Sequence, residues 1–138
     1  MENGHDYLNA DEILAMDDIP TEAVLVPEWK HRTVFVCGLT AAAKNAYQSS
    51  LVEIQGKTRK LKLEHATAKL LVRTLVNAKR EALFTESQIL KLSTKSAAVL
   101  ERLAKVASRL SGMDEEENEA LLKNSDAAQS DDSPTVSL

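Results

Sequence analysis

Apolar positions along this chain change their period several times, and each change marks an element. In "SAAVLERLAKVASRLSG" (96–112), Ser96, Val99, Leu100, Leu103, Val106, Ala107 and Leu110 recur at three and four. Arg109 falls in the last turn, and Gly112 is placed to end the helix in the left-handed conformation. This is the longest predicted helix and a core one. Just before it, Thr85 and Gln88 form the T-x-x-Q pattern of a capping box that opens a short helix, "ESQILKL", and "STK" breaks the two apart. Further back, Ala68, Leu71, Val72, Leu75 and Val76 give the buried side of a helix predicted from about Leu61 to Val76, followed by a polar turn, "NAKREA". Thr40 caps a helix through "AAAKNAYQSSLVEI", whose stripe is Ala43, Ala46, Tyr47, Ser50, Leu51 and Ile54. "QGKTRK" ends that pattern at Gly56 as a basic loop.

The period differs in "TEAVLVPEWKHRTVFVCGLT". Two β-branched runs, around Val24 to Val26 and Val34 to Val36, flank the polar "PEWKHR", which predicts a β-hairpin with Pro27 at an edge or strand end. Val34 and Val36 alternate with Phe35 and Cys37, so both faces are rather apolar and helices must cover at least one. Ahead of the hairpin, Asn9 and Glu12 form a capping box for a short helix that carries Ile13, Leu14 and Met16 and stops before Pro20. After Gly112, "MDEEENEALLKN" predicts one more short helix capped by Asp114, with Met113, Leu121 and Leu122 as its apolar side. The last residues, "SDAAQSDDSPTVSL", hold almost nothing to bury and are expected to be disordered. The expected fold is α+β: a mainly helical small domain of five to six helices over 9–112, one N-terminal β-hairpin, a flexible start over 1–8, and an acidic helix and tail over 113–138.

Length and charge narrow the picture. The 138 residues suit one domain with one core. No apolar run approaches a membrane span, and the opening "MENGHDYLNADE" is acidic where a signal peptide is basic and then apolar, so a soluble cytoplasmic protein is expected. Net charge is −4, but residues 1–28 carry eight acids and no Lys or Arg, 29–110 carry sixteen cations against five Glu, and 111–138 carry eight acids against Lys123. A basic middle between acidic ends fits either an electrostatic footprint for an anionic partner or cations that solvate helix faces.

Chemistry is sparse. His5, His31 and His65 have no companions at ligand spacing, and Cys37 is alone, so neither a metal site nor a disulfide is expected; Cys37 reads as a small buried residue at a strand end. The pairs Asp17–Asp18 and Asp131–Asp132 lie in polar stretches that would not split their pKa values. No nucleophile elbow, phosphate loop or dinucleotide motif occurs, so no catalytic residue, no cofactor and no enzyme activity is expected. "QGKTRKLK" places Lys57, Arg59, Lys60 and Lys62 in six positions, the best candidate for nucleic-acid contact, but without interleaved aromatics. Trp29 either folds back over the hairpin or anchors a partner.

The order of "ADEIL", "VPEW", a second strand closing on "GLT", "LFTE", and "KSAAVLERLAKVASRLSG" before an acidic segment resembles the tail assembly chaperones of long-tailed bacteriophages and prophages. The resemblance covers most of residues 9–122 and departs from the pattern in "NAKREALF", where relatives tend to carry a glycine-containing acidic turn. It implies a non-enzymatic helper in the cytoplasm of the infected host that binds the tape-measure protein, keeps it soluble until tail-tube subunits polymerise around it, and is absent from the virion. The tail tube protein and a longer, frameshifted form of the chain are further implied partners, and Leu122-Lys123-Asn124 is compatible with a slippery heptamer. Met113, Leu121 and Leu122 are candidate partner-binding residues because they lie beyond the expected core, with Trp29 and Phe84 beside them. The alternatives are a small nucleic-acid-binding regulator that uses the basic middle, or a structural tail or head-completion protein.

Overall fold

The computed structural model describes residues 7–113. The elements in order are α1 (Ala10–Leu14), β1 (Thr21–Val26), a 3-10 turn (Pro27–Trp29), β2 (Arg32–Cys37), α2 (Ala41–Ser50), β3 (Val52–Gln55) and β4 (Thr58–Leu61). They continue with α3 (Ala66–Thr74), β5 (Leu75–Val76), a second 3-10 turn (Glu86–Gln88), α4 (Ile89–Leu92) and α5 (Ala97–Leu110). The α+β, mainly helical architecture expected from the sequence is what forms.

The expected hairpin of β1 and β2 is present, with Val24 opposite Val34 and Glu22 opposite Val36. It gains a third strand, because α3 ends earlier than its apolar period suggests. Thr74 closes the helix with its Oγ1 donating to the Leu70 carbonyl at 3.0 Å. Leu75 then turns extended, and Leu75 and Val76 pair with Val36 and Phe35 to give the order β1-β2-β5. The turn that follows is built by Asn77, whose Oδ1 accepts from the amides of Lys79 (2.8 Å) and Glu81 (2.9 Å), while Arg80 takes φ +67. Ala82 bridges back to Val76.

A second correction concerns residues 52–65. The single expected hairpin is joined by another, β3–β4, which pairs with no other strand. Val52 and Ile54 are β-branched and opposed by Leu61 and Arg59, and Gly56 supplies φ +64 for the two-residue turn. Helix α2 therefore stops at Ser50, and Ile54, expected on its buried stripe, is 70 % exposed on the strand. Helix α3 starts at Ala66 rather than near Leu61, behind His65 at φ +60.

Helix α5 packs on β1 and β2 and on α3, so the core lies between the helices and one face of the sheet. Val26 and Val36 from the sheet, Leu71 from α3, and Val99, Leu103 and Ala107 from α5 are fully buried there. Each such Val or Leu contributes about 1.5–3 kcal/mol by leaving water. Ser96 caps α5 through Val99 N–H. At the other end the amide of Met113 donates to the Ser108 carbonyl (2.8 Å) and Gly112, at φ +76, donates to that of Arg109 (3.3 Å). This pair of bonds is a Schellman motif.

Gly38 sits where β2 meets the end of α5. A Cβ there would lie 2.5 Å from the Leu110 carbonyl oxygen, a backbone atom that cannot swing away. Gly38→Ala is therefore expected to destabilise the domain by about 1–3 kcal/mol, read as a lower thermal midpoint by circular dichroism; an unchanged midpoint would contradict this packing.

Candidate partner-binding surface

Alternation along the strands divides the sheet into two unlike faces. Glu22, Val24 and Val26 of β1, Val34 and Val36 of β2, and Leu75 of β5 share the face covered by α5. Thr21, Ala23, Leu25, Thr33, Phe35, Cys37 and Val76 share the other. None of these seven belongs to the main core cluster, and Leu25 is 55 % exposed. An antiparallel sheet with one solvated face ordinarily turns polar residues to water. Here Ala23, Leu25, Phe35 and Cys37 are turned outward instead.

Helix α1 carries further exposed apolar residues. Its capping box closes as the sequence predicts, with Glu12 N–H on Asn9 Oδ1 (2.8 Å) and Asn9 N–H on Glu12 Oε1 (2.9 Å). No residue of the helix is buried: Ile13, Leu14 and, just beyond, Met16 are all exposed, Leu14 by 83 %. Asp17 pairs with Arg80 at 2.7 Å, which draws the segment after α1 to the turn following β5. Burial pushes the Cys37 thiol above its ordinary pKa and Arg80 only partly opposes this, so little thiolate forms at neutral pH and the residue is a packing group rather than a nucleophile.

The candidates named from sequence are placed differently. Trp29 and Phe84 are half-buried and pack against the core of their own domain. Met113, expected beyond the core, is corrected: it is 4 % exposed and belongs to the core cluster. The Schellman motif is the reason, since the residue after the left-handed Gly112 is turned back onto the end of its helix, where Ala107 is buried. Leu121 and Leu122 lie outside the described residues. The outer-face residues and α1 were not singled out from sequence as a surface, although the apolar alternation of Phe35 and Cys37 was the signal for it.

Nothing else in the domain is organised for chemistry. Among the described residues no three His, Cys, Asp or Glu gather as metal ligands, and no helix is long and apolar enough to cross a membrane. A cleft of about 230 Å³ lies between the starts of α3 and α5, lined by His65, Ser93, Lys95 and Leu100 among others. His65 Nδ1 is already engaged by Ser93 Oγ at 3.0 Å.

Comparison with known proteins agrees with the fold. The family described as phage tail assembly chaperone matches residues 13–121. Among solved structures, one described as "Structure of bacteriophage HK97 tail assembly chaperone" aligns with a TM-score of 0.53 and 21 % identity, covering 70 % of this chain and 92 % of that chain. At that identity the likeness is one of fold. No curated protein matches the chain.

Core and surface roles separate by mutation. Met113→Ala is expected to cost about 2–5 kcal/mol, whereas Leu14→Ser and Leu25→Ser should each stay within about 0.5 kcal/mol of the parent, measured by urea denaturation. Equal, small effects at all three positions would mean that Met113 is not a core residue.

Proposed function

This chain belongs to the phage tail assembly chaperone family, and from that premise we propose that it holds the tape-measure protein in soluble form on the open apolar face of its three-stranded sheet. The role is non-catalytic. The observation that carries the reading is the outward-facing set Ala23, Leu25 and Phe35 on the face away from α5. A long amphipathic client exposes an apolar stripe that aggregates unless covered, and an apolar sheet face can cover one. The two six-residue strands β1 and β2 span roughly 10 by 20 Å, which fits one helix about 10 Å across and about 13 residues long.

On this reading the chaperone acts in the cytoplasm of the infected cell, hands its client to the tail tube protein as the tube polymerises, and leaves before the virion is complete. A longer product made by frameshifting at Leu122-Lys123-Asn124 would be a second partner; the gene must then contain a slippery heptamer at those codons.

Co-expression with the tape-measure protein of the same phage is expected to raise the soluble fraction of that client and give a copurifying complex. The double variant Leu14→Asp, Leu25→Asp should keep its fold and weaken the complex at least about tenfold. Alkylation of Cys37 at fixed pH should slow on complex formation, because the client covers the face that carries it. A client whose solubility is indifferent to this chain sinks the reading, and recovery of the chain from purified virions would point to a structural tail protein instead.

A further inference from the structure

The two edges of the three-stranded sheet differ in what lies beside them. Beyond β5 the chain folds back on itself: Ala82 bridges Val76, and the Leu83 amide donates to the Leu75 carbonyl at 3.0 Å. At the other edge stands β1, which pairs with β2 alone. Its register fixes which backbone groups that pairing uses. Gly38 N–H donates to the Pro20 carbonyl at 2.9 Å, so Pro20 and Gly38 form a hydrogen-bonded pair of the antiparallel ladder. Such pairs recur at every second residue, as Glu22 with Val36, Val24 with Val34 and Val26 with Arg32. Thr21, Ala23 and Leu25 therefore turn their N–H and C=O groups away from β2, and among the described residues no hydrogen bond reaches those groups.

Sheets ordinarily protect such an edge with lysines, prolines, bulges or a covering segment. From Thr21 to Val26, β1 has no lysine, no proline and no bulge, since its register runs unbroken from Thr21↔Cys37 to Val26↔Arg32. Its one charge, Glu22, lies on the face covered by α5 and is engaged by Arg109 at 2.7 Å. Pro20 and Pro27 stand just outside the strand, so they limit the open stretch to six residues without blocking it. The β3–β4 hairpin is also unpaired at its sides, but it carries exposed Lys57, Arg59 and Lys60, which are protective charges. Ala23 and Leu25 are exposed, so the edge of β1 can be approached.

A row of backbone donors and acceptors at strand spacing is matched by another extended backbone, and this chemistry names the occupant. We propose that β1 takes up an extended segment of the client by strand addition, about six residues long and apolar at alternate positions, bonded to the backbone of Thr21, Ala23 and Leu25. The side chains of these three residues lie on the outer face, so alternate residues of the added strand widen that same apolar face. The proposal rests on the reading of the outer face as the client surface, and adds extended stretches of the client to the helical ones. Extended apolar stretches are those that pair edge to edge into aggregates, and a short edge that caps them keeps them apart.

Hydrogen exchange resolved by residue tests this on the full chain. Free, the amides of Ala23 and Leu25 are expected to exchange rapidly and that of Val24, bonded to Val34, slowly. In the complex copurified after co-expression with the tape-measure protein, Ala23 and Leu25 should slow at least about tenfold. Ala23→Pro removes one outward N–H, breaks no bond to β2 and keeps an apolar side chain on the face. It should hold the parent's thermal midpoint and weaken the complex at least about tenfold. Unslowed amides in the complex, or Ala23→Pro binding as the parent does, would overturn strand addition and leave the outer-face reading standing. Amides already protected in a free chain that light scattering shows to be a dimer would give the edge to a second copy and overturn it too. If the parent chain forms no complex with the client, both readings fall.

Discussion

Helix α5 is the element on which the rest of this domain depends. Val99, Leu103 and Ala107 are withdrawn from water, and α5 packs on both the sheet and α3. This geometry has a consequence for the sheet. One helical layer buries one face; on the other, Val76 is buried while Ala23 and Leu25 stay exposed. The exposed part of that face is nevertheless apolar at Leu25 and Ala23, with Phe35 half-covered beside Ala23. Folding gains little from them. Their value lies in what they can cover, which is the physical link from an ordinary two-layer core to a binding role.

Charge sets how those layers are oriented. Arg102 and Arg109 stand two turns apart on α5, and they reach Glu28 in the turn after β1 and Glu22 near the start of that strand. Two tethers at separate points fix the direction of a helix across a strand, where one would leave it free to pivot. Both pairs are substantially exposed, so each is worth only about 0–1 kcal/mol. They select an arrangement that apolar burial alone makes stable. The segregation of acids and bases along the sequence thus becomes pairing in space for three of the N-terminal acids, Asp17, Glu22 and Glu28.

How far the fold was legible depended on whether a local signal had one meaning. Capping residues did: Asn9 with Glu12, Thr40, and Ser96 ahead of Gly112 mark helix ends that the structure reproduces, because each supplies an acceptor or a left-handed residue for groups the helix cannot satisfy itself. Short apolar runs did not. Leu51 and Ile54 fit a helical stripe, yet Val52, Ile54 and the Gly56 turn fit a hairpin equally well, and pairing with β4 decides the matter. Leu75 and Val76 continue the period of α3 but are claimed by the open edge of β2. Met113 was misplaced because its burial follows from the Schellman bonds at Ser108 and Arg109, a three-dimensional consequence of Gly112 rather than a property of its own neighbourhood. The apolar outer face was visible in the alternation of β2, but which of the two faces α5 would choose was not.

The size of that face bears on how a chaperone of this kind would work. A footprint of roughly 10 by 20 Å buries under about 200 Å² a side, well short of the roughly 800 Å² per partner typical of stable complexes. A single copy would therefore hold a helical client weakly and exchange quickly. A long client offers many such stretches, and many copies bound side by side would keep its apolar stripe covered although each copy comes and goes. Weak individual binding is then what the task requires. On the proposed reading, a tail tube assembling along the same client would displace one small footprint at a time, with no input of energy beyond its own polymerisation, and a chaperone with a larger and tighter face would stall it.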